Sequence, residues 1–215
     1  DRFSLVAAKD GYVDFNPDNA FSSDEGFANV AGGLKYAVIL DPVKQYAMTV
    51  TATVELPVGD DEVFQGEGDG NFNLILSNLK IYDRWQIATA LGLQLPFDGD
   101  FSTQGWASFH VSYEVSRWFI PLVELNWFHV FDEGDGGSRF DDQVGGAVPA
   151  VAPSEGADLI NWGAANREEY VTLGVGFRSR LTDQVSVGFA YEFPLTDEED
   201  NITEDRFTFD LVWAF

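Results

Sequence analysis

The chain has 215 residues and a formal net charge of -24, with 36 acidic against 12 basic side chains. This balance argues against nucleic-acid binding, because phosphate recognition needs a basic face, and against adsorption to anionic membrane surfaces. No run of 18 apolar residues is present, so no transmembrane helix is predicted. Without cysteine, disulfides and thiolate metal sites are excluded. The length fits one domain, residues 1–215.

Large apolar residues alternate with small or polar ones along most of the chain, which predicts β-strands. A weak strand at 3–7 comes first. Clear strands are predicted at residues 30–40, 46–56, 71–79, 85–95, 107–115, 119–127, 171–178, 185–193 and 206–215. In the strand at 30–40, Leu40 is expected on the same apolar face as Leu34. In the strand at 71–79 the alternation loses phase at Leu79 and Ile81, which predicts a β-bulge.

The connections between these strands alternate in length. Short turns are predicted at 41–44, 82–84, 116–117 and 182–183, and longer acidic loops at 16–27, 58–70, 97–104, 132–168 and 196–205. About ten strands with this arrangement predict an all-β fold, a transmembrane antiparallel up-and-down β-barrel. The short turns and both termini would be periplasmic, and the long loops extracellular. A soluble β-sandwich is the alternative. It fits worse because the second face of the strands is rich in Gly, Ala, Ser and Thr, which suit the inside of a small barrel.

The last strand places Phe209, Leu211, Trp213 and Phe215 on one face. It resembles the C-terminal signal of Gram-negative outer-membrane β-barrels. That resemblance implies a bacterial outer-membrane location, recognition by barrel-assembly machinery, and contact with outer-membrane lipid and lipopolysaccharide.

Three segments carry a narrower resemblance. They are Val54-Glu55-Leu56-Pro57-Val58-Gly59, Leu93-Gln94-Leu95-Pro96-Phe97-Asp98-Gly99 and Glu67-Gly68-Asp69-Gly70-Asn71. They are similar to the outer-membrane transporter family named for the meta-cleavage pathway of phenol degradation. This resemblance implies a barrel and uptake of small organic molecules, and it supplies no catalytic residue.

The strand face opposite the large apolar residues carries charged and amide side chains, which are expected to line the lumen. They are Lys35, Glu55, His110, Glu114, Glu124, Asn126, Arg178, Glu192 and Asp210. Charges inside a narrow barrel must be paired or hydrated. The set is therefore either a structural network that fills the lumen or a lining that selects small polar or cationic solutes, since carboxylates outnumber bases. We predict a narrow channel or transporter for small organic or polar solutes.

His110, Ser112 and Glu114 share this face at a spacing of two. Hydrolases use a base, a hydroxyl and a carboxylate, and outer-membrane lipid deacylases resemble this chain in using His and Ser two apart. Same-face neighbours on a strand lie roughly 7 Å apart, too far for a direct His–Ser hydrogen bond without particular rotamers. The set also lies opposite the lipid-facing side. The chain is therefore predicted not to be an enzyme, with a lipid hydrolase as the less favoured alternative.

The acidic loops could hold Ca²⁺ or Mg²⁺ through carboxylate oxygens, or bridge to lipopolysaccharide phosphates. The candidate ligands are Asp132, Glu133, Asp135, Asp197, Glu198, Glu199 and Asp200. Neither run matches the EF-hand pattern, and most such runs are solvated. No other cofactor is predicted. A further alternative for the whole chain is a non-conducting structural or docking barrel that binds a protein partner through loop 132–168.

Overall fold

The computed structural model describes residues 2–16, 23–63, 65–66, 68–99, 102–132, 169–196 and 205–214. Regular structure in these ranges consists of twelve β-strands and one short 3₁₀ helix, Asp61–Val63. No helix in the described ranges is long and apolar enough to cross a membrane.

The strands are β1 (Phe3–Lys9), β2 (Tyr12–Phe15), β3 (Asp24–Phe27), β4 (Val30–Asp41), β5 (Tyr46–Leu56), β6 (Asn71–Tyr82), β7 (Trp85–Pro96), β8 (Thr103–Tyr113), β9 (Ile120–Asp132), β10 (Glu169–Arg180), β11 (Val185–Pro194) and β12 (Arg206–Trp213). Ten of them form one antiparallel sheet in the order β1-β4-β5-β6-β7-β8-β9-β10-β11-β12. The prediction of an antiparallel all-β fold is thus confirmed. The sandwich alternative is not supported, because it needs two packed sheets and all ten of these strands belong to one.

Two features of this topology lie outside the predicted scheme. Strands β2 and β3 form a separate hairpin, part of which falls in the segment predicted as loop 16–27. Within the described residues, β1 and β12 are the two edges of the sheet and do not pair with each other. The closure that defines a barrel is therefore not seen directly.

The predicted bulge near Leu79 is wrong. Strand β6 keeps a constant register with β5 and with β7 along its whole length. The alternation is lost there because the two faces exchange polarity near the short turn, with Asn78 and Lys80 in the apolar row and Leu79 and Ile81 opposite them. The backbone of β6 is regular here. The loss of alternation reflects a change in side-chain polarity and not a change in backbone geometry.

A bulge does occur on β4, between Ala37 and Ile39. One extra residue in a strand moves every later side chain to the other face. Ile39 therefore pairs with Met48 in the apolar row, and Leu40 pairs with Ala47 on the opposite face. The expectation that Leu40 continues the apolar row of Leu34 is wrong for this reason.

One face of the sheet carries rows of large apolar side chains that no other described residue covers. Leu5, Phe207, Phe209 and Leu211 are 88%, 60%, 77% and 68% exposed, respectively. The aromatic rings contact one another along this face, for example Phe189 and Phe209 with centroids 5.1 Å apart. The buried apolar residues of the described ranges are only Ala28, Ala31 and Val63. An exposed apolar surface of this extent marks contact with a membrane or another protein.

Neighbouring strands approach β4 closely at its glycines, and Gly32 and Gly33 provide a matched test of this packing. A Cβ at Gly33 would overlap the Ala52 carbonyl oxygen, whereas one at Gly32 would lie 3.3 Å from the Val6 carbonyl oxygen. We expect Gly33→Ala to lower the free energy of unfolding by about 1–3 kcal/mol relative to Gly32→Ala, because overpacking displaces backbone. Both changes remove one glycine, so their effects on the unfolded chain cancel. Urea midpoints in detergent micelles measure the difference, and equal midpoints would contradict the packing described.

Candidate functional site

The face opposite the apolar rows, here called the polar face, carries the predicted lining residues. The strand register puts Lys35 opposite Thr51, Glu55 opposite Asn71 and His110 opposite Glu124 on this face. The other members lie on the same face of β9 to β12, and Glu114 follows directly after β8. The sheet thus brings the set together on one surface. That this surface lines a lumen stays a prediction.

Two side-chain contacts join strands on the polar face, one between the neighbouring strands β8 and β9 and the other between β10 and β12, across β11. His110 Nδ1 lies 2.7 Å from Glu124 Oε1. Arg178 donates from Nη2 to both carboxylate oxygens of Asp210, at 3.0 and 3.1 Å. The Arg178–Asp210 pair is about two-fifths exposed, so solvent screens it and its contribution to stability is small. Its main effect is to neutralise the carboxylate where it stands.

Glu192 is the centre of a larger network on β9 to β12. Its Oε1 accepts hydrogen bonds from Asn126 Nδ2, at 3.1 Å, and from the Thr172 hydroxyl. Its Oε2 accepts a hydrogen bond from Arg206 Nε at 3.0 Å, and Arg206 Nη2 contacts the same oxygen. A carboxylate with this many donors is both paired and hydrogen-bonded, which is the arrangement that a desolvated charge requires.

Glu55 lies at the end of the sheet where the long connections gather, and it is 7% exposed. Lys9 Nζ donates to its Oε1 at 2.7 Å, and Asn29 Nδ2 donates to the same oxygen at 2.9 Å. The side-chain oxygen of Asn29 accepts hydrogen bonds from the backbone amides of Gly59 and Gly66. The backbone amide of Asn29 donates to Gln65 Oε1. These bonds hold Gly59, Gln65 and Gly66 against the segment between β3 and β4.

Of the remaining two predicted residues, one has an ion-pair partner among the described residues and the other does not. Glu114 pairs with Arg180. Lys35 is exposed and makes no hydrogen bond or ion pair with other described residues.

Three cations were missed from the sequence: Lys9, Arg180 and Arg206. Lys9 pairs with Glu55, Arg180 with Glu114 and Arg206 with Glu192. The nine predicted residues thus left out bases that pair with carboxylates of this face, and the selection of cationic solutes stays a prediction. Arg180 and Arg206 share the strand phase of Arg178 and Asp210, so the alternation alone could have found them. Lys9 could not be found this way, because a register shift between Ala7 and Lys9 changes its phase.

The hydrolase arrangement is not assembled. His110 contacts Glu124 rather than Glu114, and Ser112 makes no hydrogen bond with it. His110 Nε2 is buried and has no hydrogen-bond partner in the described residues. A nucleophile–base pair needs hydrogen-bond contact, and none is present here.

The described residues contain no group of three or more His, Asp or Glu side chains that could hold a metal ion. Of the predicted loop ligands, only Asp132 lies in the described ranges; Glu133, Asp135 and residues 197–200 lie outside them. The possible divalent-cation sites therefore stay predictions.

Comparison with known proteins gives a structural match only. No family model and no curated protein matches the sequence. One solved structure that matches is the NanC porin in a rhombohedral crystal form, with a TM-score of 0.55 and 9% sequence identity. The match covers 99% of this chain and 92% of that chain. The chain has a porin-like β fold. At this identity the likeness concerns the fold alone, and the resemblance to the phenol-degradation transporter family stays a prediction.

Proposed function

We propose that the chain is a bacterial outer-membrane β-barrel that forms a narrow channel for small polar or organic solutes, and that it is not an enzyme. The observation that carries this proposal is the chemical contrast between the two faces of a single sheet. One face exposes large apolar side chains that suit acyl chains, and the other holds charges in pairs. The fold likeness to a porin supports it.

Closure of the sheet follows from membrane physics. An open edge in lipid would leave backbone N–H and C=O groups without partners, each at several kcal/mol. Strands β1 and β12 are the two edges of the described sheet, and an even number of antiparallel strands makes them antiparallel to each other. We therefore infer that β1 pairs with β12.

Engineered cysteines test this closure cleanly, because the chain contains none. Leu5→Cys, combined in turn with Phe209→Cys, Leu211→Cys or Trp213→Cys, is expected to give a disulfide in at least one pair, since paired strands bring Cα atoms within 4.4–6.8 Å. The control pair is Leu5→Cys with Leu125→Cys, on the same apolar face but on β9, and it should not cross-link. Oxidised samples are compared by gel mobility in folded protein. Failure of all three pairs would contradict the closed barrel.

The paired charges of the polar face bear on what the channel admits. Each of the five carboxylates of the predicted set contacts a basic side chain, so we expect the wall to present little net charge to a solute. Fields from the acidic loops act at the rim and are screened within about 10 Å at ordinary salt. We therefore expect passage of small neutral and polar solutes, with only modest discrimination by charge in the wall.

Arg178→Gln tests the role of pairing in conduction. Planar bilayers with purified protein should show discrete single-channel steps. The substitution leaves Asp210 unpaired and should raise the cation-to-anion permeability ratio by roughly two-fold, because an uncompensated wall charge attracts counter-ions. The matched control is Lys80→Gln, which removes an equal charge from the apolar row of β6. Absence of steps would contradict the channel. An equal shift in both variants would contradict the assignment of the polar face to the lumen.

The other predicted partners remain part of the proposal. Phe209, Leu211 and Trp213 share the apolar face of β12, as expected of an assembly signal and of contact with outer-membrane lipid and lipopolysaccharide, while Phe215 lies outside the described residues. The short turns would face the periplasm. The docking alternative depends on loop 132–168, of which only Asp132 is described, so no contact in the described residues favours it.

A further inference from the structure

We infer that the polar face carries a stacking site for a neutral sugar, built on Trp106. The inference rests on the proposed channel and names the class of solute that this wall would bind. None of the nine predicted lining residues contributes to it.

Trp106 lies on the polar face of β8, opposite Gly92 of β7. A Cβ at Gly92 would overlap the Cε2 and Cζ2 atoms of the indole. The ring therefore covers the backbone of Gly92, and any side chain at this position would displace it. Ala88 and Ala90, the preceding polar-face residues of β7, are also small. The indole is half-buried, with Phe128 of β9 directly opposite Trp106, and the inferred site uses the part of the ring that stays exposed.

Amide side chains flank the ring on the long-loop side. Gln94 of β7 lies opposite Gln104 of β8 and opposite Asn73 of β6. Asn73 donates a hydrogen bond to Asn71 at 2.7 Å. The amide groups of Gln94 and Gln104 make no hydrogen bond within the described residues, and neither side chain is fully buried. Each amide offers two donors and an acceptor without charge.

An aromatic platform beside free amides fits one solute chemistry best. A pyranose ring has an apolar C–H face that can stack on an indole, and a rim of hydroxyls that pair with amide donors and acceptors. A planar aromatic solute would use the platform but leave the amides unpaired, which disfavours it. An acidic solute would find its counter-charges elsewhere, since the cations Arg178, Arg180 and Arg206 lie on β10 and β12.

The alternative role for Trp106 is structural, as a cover for Gly92 that never contacts solute. The experiment must therefore read out ligand binding as well as folding. We use maltotriose as the neutral sugar probe, sodium benzoate as the aromatic probe and galacturonate as the acidic sugar probe. Block of single-channel current gives the half-blocking concentration. Equilibrium dialysis with radiolabelled maltotriose on detergent-solubilised protein gives binding independently of conduction.

Maltotriose should block the single-channel current and bind to the solubilised protein. Benzoate and galacturonate should block the current less strongly. Trp106→Ala should raise the half-blocking concentration by roughly tenfold, Trp106→Phe should restore part of the loss, and Gln104→Leu should weaken maltotriose without affecting benzoate. The matched control, Trp127→Phe, changes a tryptophan on the apolar face of β9 and should have no effect. If Trp106→Ala does not fold, Trp106→Phe and Gln104→Leu still decide the question.

If single-channel ion steps occur but maltotriose neither blocks them nor binds, the sugar site is overturned and the channel proposal is retained. Stronger block by benzoate or galacturonate would overturn the assigned solute class. If no ion steps occur, the channel proposal fails, and dialysis still supports or overturns the binding site by itself.

Discussion

Hydrogen bonding between neighbouring backbone strands is the interaction on which the rest of this structure depends. From β4 to β12 each strand pairs with the next in sequence, and most of these ladders keep one register from end to end. A constant register keeps odd and even residues on opposite faces across the whole sheet. The two faces can therefore have opposite chemistry, and a one-residue slip in any ladder would mix them. This explains why the described part of the chain has a defined architecture with so few buried apolar residues.

The register also determines which charges meet. Glu124 lies opposite His110, and Glu192 opposite Arg206, because their strands are aligned at those positions. Arg178 lies opposite Gly188 and reaches across it to Asp210 on the next strand. A Cβ at Gly188 would overlap an oxygen of the Asp210 carboxylate, so the glycine provides the space that this side chain occupies. Small residues on the polar face thus permit interactions between strands that are not direct neighbours.

The sequence predicted the elements with strict alternation well. Strands β5, β7 and β11 begin at the predicted residues Tyr46, Trp85 and Val185, because each is flanked by a clear turn and keeps its phase throughout. The β2–β3 hairpin was missed because Asp24-Glu25-Gly26-Phe27 shows no apolar alternation. Strand β8 begins at Thr103, before its predicted start. The prediction was late because Gln104-Gly105-Trp106 breaks the apolar alternation, although its backbone pairs with β7. Trp106 was overlooked for the same reason. A one-dimensional pattern records side-chain chemistry, and pairing partners appear only with the register.

The central claim is that the apolar face meets acyl chains and the polar face meets water. Nitroxide labels on single cysteines along β7 test it most directly, with relaxation by oxygen and by a nickel chelate measured in lipid vesicles. The account predicts that labels at 87, 91 and 93 are accessible to oxygen, whereas labels at 88, 90 and 94 are accessible to the nickel chelate. The claim would be contradicted if 87, 91 and 93 were shielded from both reagents, as in a dry protein core, or if accessibility showed no period of two.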